Sequence, residues 1–196
     1  MRLFVGLGNP GPKHAMNRHN LGFMALDFIH KHHNFPAWSQ KFQGQISDGM
    51  MDGEKIILLK PQTFMNVSGQ SVYPASFFYK LKPEDIVVFH DELDLAPGKV
   101  RVKKGGGTAG HNGLKSIEQN LGPEFWRVRL GIGRPPPEDV TNYVLGDFFK
   151  SEEEWLVPLL AGTAQYAPLL AKGDVDGYMS KIAAQMPPSV EAATIN

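Results

Sequence analysis

Short apolar runs alternate along this chain with stretches of helical periodicity, and that alternation constrains the fold more than any other feature. Arg2 to Leu7 reads as a short buried strand, ended by the turn residues Gly8-Asn9-Pro10-Gly11. Asn20 to His33 sets Leu21, Met24, Ala25, Phe28 and Ile29 at the spacing of an amphipathic helix, with Asn20 as its N-cap. Lys41 to Ser47 and Lys55 to Leu59 read as strands joined by a short turn containing Asp-Gly, the second stopping at Pro61. Ser68 to Lys80 predicts a helix that Pro74 must enter in its first turns or kink. Asp85 to Phe89 is a buried strand, and Lys99 to Lys103 is another, broken by Gly105-Gly106-Gly107. Gly113 to Leu121 follows as a helix, Arg127 to Ile132 as a strand, and Pro135-Pro136-Pro137 as a stiff linker. Glu138 to Leu145, Glu152 to Lys172 and Gly177 to Gln185 read as helices, the last stopped by Pro187-Pro188. Residues 187–196 read as a flexible tail with few apolar anchors. The pattern predicts one α/β domain over residues 1–186, a twisted, mixed but mostly parallel sheet with helices on both faces.

Composition narrows the chemistry. The 196 residues include no cysteine, which excludes a thiolate nucleophile, a disulfide frame and a cysteine-bound zinc finger. The first apolar run is too short for a signal-peptide core, and no stretch reaches the roughly 18 apolar residues of a spanning helix. The expected location is therefore cytoplasmic, with no membrane contact. The net charge of +0 hides an asymmetry: Lys99 to Arg134 holds eight lysines and arginines against Glu118 and Glu124 alone. A basic field in a neutral protein suggests a face built for a polyanion, although surface lysines also cluster by chance.

The polar residues that follow the apolar runs suggest where chemistry occurs. Asn9 and His19 follow the first strand, Thr63 and Asn66 the third, and His90, Asp91, Glu92 and Asp94 the strand ending at Phe89. His111 and Asn112 follow the glycines. Ligands of parallel α/β sheets bind beyond the carboxyl ends of the strands, so Asn9, His19, Asn66, Asp91 and Asn112 could share one rim. Histidine suits proton transfer near neutral pH, and an aspartate would hold its tautomer. Asparagine amides could hold a peptide backbone or donate to an oxyanion. Together they suggest hydrolysis of an acyl group by activated water. No serine lies in a nucleophile-elbow pattern. A lone histidine after a turn also has a purely structural reading.

Other patterns carry two readings. The loop Lys103 to Gly113 could bring backbone amides to a phosphate or be a tight turn; its glycine spacing fits neither a Walker A loop nor a dinucleotide fingerprint. His90-Asp91-Glu92-Leu93-Asp94 contains metal-ligating types, but neighbours on a strand face opposite ways. His30, His32 and His33 suit a helix C-terminus, and Trp38, Trp126 and Trp155 read as core.

Five ordered motifs carry a family resemblance. They are Phe4 to Gly11 with Arg18-His19-Asn20, Lys60 to Gly69, His90 to Asp94, Gly105 to Leu114, and Arg129 to Arg134. In order and spacing they resemble bacterial-type peptidyl-tRNA hydrolase over about residues 2–150. The resemblance implies a single-domain, cytoplasmic, usually monomeric enzyme of translation. It would cleave the ester between a peptide and the tRNA 3′ ribose, with no cofactor, metal, membrane or obligate protein partner. It implies His19 as the base that activates water and Asp91 as its partner. Asn9, His14, Phe64, Asn66 and Asn112 would meet the substrate, with Asn66 also near the oxyanion. Lys103, Lys104 and Arg134 would contact tRNA, and residues 138–150 would form a lid over the peptide channel. Two positions depart from the pattern: His14 stands where the family usually has tyrosine, and Asn17 where it usually has threonine. Two other functions compete with this one, a non-catalytic RNA-binding protein on the same fold and a metal-dependent hydrolase using His90 to Asp94.

Overall fold

After Arg2, the first strand is apolar because it is buried on both faces and paired on both edges. In the computed structural model, which describes residues 1–188, β1 (Arg2–Gly6) runs parallel to both β4 (Glu54–Pro61) and β5 (Ile86–Glu92). The other strands are β2 (Ser39–Lys41), β3 (Gly44–Met51), β6 (Val100–Lys104) and β7 (Trp126–Gly131), and the sheet order is β2-β3-β4-β1-β5-β7-β6. The central strands β4, β1, β5 and β7 are mutually parallel, while antiparallel pairs flank them at both ends. The mixed, mostly parallel sheet that the sequence predicts is therefore present.

Helices cover both faces. One apolar cluster joins Phe4, Val87, Phe89 and Val128 to α1 (Leu21–His32), α5 (Glu153–Gln165), α6 (Ala167–Ala171) and α7 (Val175–Gln185). The other joins Leu3, Val5, Ile57 and Val88 to α2 (Gly69–Phe78) and α3 (Asn112–Leu121). The alternation of β1 and β5 residues between the two clusters follows from the two-residue period of a strand. The three tryptophans are partly buried against the larger cluster.

Several boundaries differ from the sequence reading. Lys41 to Ser47 falls on two strands, because Phe42 and Gln43 turn the chain with positive φ (56° and 51°) although neither is a glycine. The expected Asp-Gly turn is present at Asp52 and Gly53, both at positive φ, as a tight hairpin needs. β4 stops at Pro61, as expected, and Pro61 is its last residue, pairing with Gly44 in the ladder. β5 runs on past Phe89 through the buried polar residues His90, Asp91 and Glu92. Along α1, Leu26 is buried where Phe28 was expected, and Phe28 is exposed. The expected helix from Glu152 to Lys172 is two, separated at Tyr166, where Pro168 in the next turn cannot supply a backbone N–H. The helix expected from Glu138 shrinks to a 3-10 turn and α4 (Val140–Val144). Of the expected tail, residues 189–196 lie outside the described residues.

Two glycines bring α1 against the carboxyl ends of β1 and β5. A methyl group on Gly22 would fall inside the shells of the Phe89 carbonyl and the Leu7 amide, and one on Gly6 would meet the Gly22 carbonyl. The short turn preceding α1 is thereby pressed onto the end of β5.

Candidate active site

That turn carries His19, and the end of β5 carries Asp91. The imidazole Nδ1 of His19 lies 2.9 Å from Asp91 Oδ2 and 3.1 Å from Oδ1. A second histidine holds the same carboxylate, with His111 Nε2 at 2.9 Å from Oδ1. His111 is the N-cap of α3, where its Nδ1 accepts from the amides of Gly113 (3.2 Å) and Leu114 (3.4 Å). An accepting Nδ1 requires the proton on Nε2, so His111 donates to Asp91. His19 likewise donates from Nδ1, which leaves its Nε2 unprotonated on a ring lining the cleft.

The electrostatics agree. Burial raises the cost of charge on Asp91, but His19 and His111 outweigh it and hold the carboxyl far below the usual carboxylate range. Burial also opposes charge on His19, yet the charge of Asp91 and its hydrogen bond raise the imidazole above its ordinary 6.5. His90 behaves oppositely: burial and the adjacent His111 push it down to about 3, so it stays neutral, donating Nδ1–H to the carbonyl of Asp91 at 2.8 Å.

Asn9 faces the same space through a network that the sequence did not reveal. Its main-chain N–H donates to Asn20 Oδ1 (2.8 Å), and Asn20 Nδ2 donates to the Asn9 carbonyl (2.9 Å). Asn20 occupies the N-cap position, as expected, but makes no side-chain cap bond, because its amide is committed to Asn9. The amide N–H of Met65 donates to Asn9 Oδ1 at 2.8 Å, which fixes the flip and leaves Asn9 Nδ2 as a donor.

These groups line a cleft of about 370 Å³ at the carboxyl ends of the parallel strands. Asn9, His19, Phe64, Asn66, Asp91, Asn112 and Arg134 all reach it. Phe64, Asn66 and Asn112 are exposed there, and Val140, Val144 and Leu145, on and just after α4, form an apolar wall. His14 does not line the cleft; its Nδ1 bonds Asn17 Oδ1 at 2.8 Å. Lys103 and Lys104 do not line it either. Because β6 is antiparallel to β7, its chain runs down the sheet, and they pair with Arg127 and Trp126 at the far end of β7 from Gly131. The glycine loop then climbs back to the rim at His111.

The basic segment is only partly a free field. Arg127 is buried, bonded to the carbonyls of Pro123, Phe125 and Gly106. Arg129 pairs with Glu92 at 2.7 Å, and Arg134 Nη2 with Asp94 at 2.7 Å. Arg101 and Lys103 are exposed, directly opposite Arg129 and Arg127. Since Arg127 is buried and Arg129 is paired with Glu92, the cations this stretch of β6 and β7 leaves exposed are Arg101, Lys103 and Lys104.

His19, Asp91 and His111 are also the trio among the described residues whose ligand atoms lie within 4.8 Å of one another. Two of those atoms carry the N–H groups that donate to Asp91, and a bound metal would have to displace both protons. His90, Glu92 and Asp94 do not join that trio. Among the described residues, no helix is long and apolar enough to cross a membrane.

Comparisons with known proteins identify the family and the fold. The family described as "Peptidyl-tRNA hydrolase" matches residues 3–189. The chain is 59% identical over 189 residues to the peptidyl-tRNA hydrolase of Dinoroseobacter shibae, covering 96% of this chain and 80% of that one. It is 60% identical over 184 residues to that of Novosphingobium aromaticivorans, covering 93% and 96%. The crystal structure of peptidyl-tRNA hydrolase from Acinetobacter baumannii superposes with a TM-score of 0.89 at 40% identity, covering 95% of this chain and 96% of that one.

Proposed function

The chain belongs to the peptidyl-tRNA hydrolase family and hydrolyses peptidyl-tRNA, and we propose that His19 is the general base of that reaction. The observation that carries the assignment is the 2.9 Å contact between His19 Nδ1 and Asp91 Oδ2 at the base of the cleft. His19 Nε2 takes a proton from water, which attacks the ester carbonyl between the peptide and the 3′ ribose. Asp91 holds the tautomer and stabilises the imidazolium that forms. The tetrahedral oxyanion is met by uncharged amide donors, for which Asn66 is the proposed group. As the intermediate collapses, the imidazolium returns its proton to the departing ribose oxygen. The products are a peptide carboxylate and tRNA.

Asn9 and Asn112 are proposed to bind the peptide backbone nearest the ester. Their amides pair with a peptide bond that aminoacyl-tRNA lacks, and unpaired buried polar groups penalise the wrong substrate. Phe64 and the wall from Val140 to Leu145 supply apolar contact, with residues 138–150 as the lid of a catalytic domain spanning 1–186. The tRNA is proposed to lie toward Arg134 and the exposed Lys103, with Lys104 and His14 at its margins. Action as a monomer is part of the proposal, as the family resemblance implies. A substrate produced in translation supports a cytoplasmic location.

The test is release of peptide from N-acetyl-aminoacyl-tRNA by wild-type and His19→Ala protein, with and without EDTA. Hydrolysis by the wild type only, unchanged by EDTA, is expected. Turnover lost only in EDTA would overturn the assignment in favour of a metal site. An active, folded His19→Ala protein would overturn the base.

A further inference from the structure

We propose that Arg18 is a positioning residue: it holds the apolar wall of the cleft against the turn that bears His19, and so sets how tightly the peptide end of the substrate is gripped. The inference rests on the hydrolase reading above, in which the peptide lies along Val140 to Leu145.

Arg18 is 3% exposed, and its guanidinium reaches three residues of the distant segment 143–152. Nη1 donates to the carbonyls of Tyr143 (3.3 Å) and Asp147 (3.0 Å), and Nη2 pairs with Glu152 Oε1 at 2.6 Å. The Tyr143 ring lies 4.3 Å from the guanidinium carbon and the Phe149 ring 5.1 Å. The backbone joins the same two segments: Arg18 N–H donates to the Gly146 carbonyl (2.9 Å) and Phe148 N–H to the Met16 carbonyl (3.0 Å). Asn17 Nδ2 adds a bond to Asp147 Oδ1 at 2.9 Å.

The need for such a latch follows from the length of α4. A helix of five residues cannot hold itself in water, so its place is set by what grips it. Glu152 is itself fixed, accepting the Phe149 amide at 2.9 Å. A buried ion pair adds little stability beyond what an apolar pair would give, and Arg18 Nε is left with no partner. What the arginine supplies is geometry, because its planar fork reaches several acceptors at once where a lysine reaches fewer. The wall residues Val144 and Leu145 sit between those acceptors, while His19 is the next residue in the chain. The latch therefore sets the spacing between the apolar wall and the base. Asn9, Asp91 and His111 are held by other contacts, so the chemistry itself does not depend on it.

The experiment compares wild type, Arg18→Met and Arg18→Lys on N-acetyl-glycyl-tRNA and N-acetyl-leucyl-leucyl-tRNA, alongside amide hydrogen exchange read by mass spectrometry. In Arg18→Met, KM for the dileucyl substrate is expected to rise about tenfold with kcat within about twofold, and KM for the glycyl substrate to change far less. Exchange should quicken across residues 140–149 and stay unchanged in β1 and β5, and Arg18→Lys should restore part of both effects. Equal losses on both substrates, or unchanged exchange over 140–149, would overturn the proposal. If Arg18→Met does not fold, Glu152→Gln carries the same two readouts with the shape of the pair retained. A wild type that hydrolyses neither substrate would sink the hydrolase reading instead, while the exchange data would still decide whether Arg18 is the latch.

Discussion

His19 Nδ1 lies 2.9 Å from Asp91 Oδ2, and this contact raises the imidazole pKa although burial alone would lower it. The base is neutral above its pKa, so kcat/KM should rise with pH through an inflection above 6.5. Asp91→Asn removes the charge that raises it. The inflection should fall, and the rate should drop by about 10²- to 10⁴-fold because the tautomer is no longer held. A pH–rate profile of both proteins checks this; an unmoved inflection would separate the two residues. The same shift makes a statement about stability. A raised histidine pKa stabilises the fold fully below the unfolded value and loses that contribution as pH rises through the folded one, so the pair helps folding least where the base works best.

His111 both caps α3 and holds Asp91, and the two duties can be separated. Asparagine is a good cap but too short to reach the carboxylate, so His111→Asn should keep nearly wild-type thermal stability while kcat falls. His111→Ala should lose both, with about 1 kcal/mol of stability gone with the cap. Melting curves and kcat on the same samples test this. Activity that simply tracks stability would remove the Asp91 contact from the mechanism.

Asn20 exchanges two buried hydrogen bonds with the backbone of Asn9. In Asn20→Asp, an acceptor replaces the donor facing the Asn9 carbonyl, at a cost of about 1–3 kcal/mol. Peptide release should slow at least tenfold, on the order of one such lost contact, with His19 and Asp91 intact. Kinetics beside a crystal structure of the variant would show whether Asn9 has moved; full activity would mean that the Asn9 amide does not need this support.

Gly22 faces the Phe89 carbonyl with no room for a side chain. Gly22→Ala should cost about 1–3 kcal/mol through overpacking, and lower the melting temperature by roughly 2–4 °C per kcal/mol for a chain of this size. Activity should fall further than stability, since the turn bearing His19 moves with α1. A calorimetric scan and an assay below the transition separate the two.

Lys103 is exposed on β6, between the exposed Arg101 and Lys104 in the chain. Lys103→Glu should weaken tRNA binding and reduce the slope of log affinity against log salt by about one phosphate contact, with kcat little changed. Filter binding over a salt series measures this, and an unaltered slope would place the tRNA elsewhere.

The order of strands and helices, the two-sided burial of β1 and the Asp-Gly hairpin were legible in the sequence because they follow from local periodicity and turn chemistry. His19, Asp91, Asn9, Asn66 and Asn112 were legible as a set because each follows an apolar run, and the cleft gathers all five. What the sequence could not show is which polar group faces which. Asn20 read as a helix cap, but the fold brings it to Asn9. His111 was only a residue after the glycines until the fold turned its ring toward Asp91, and Arg18 was one letter of a motif before the distant residues 143–152 closed around it. Lys103 and Lys104 were expected only as tRNA contacts, and the antiparallel course of β6 carries both away from the cleft. Propensity and periodicity act over a few residues, whereas partnerships such as Arg18 with Glu152 join positions more than a hundred apart, and only packing the helices onto the sheet decides them.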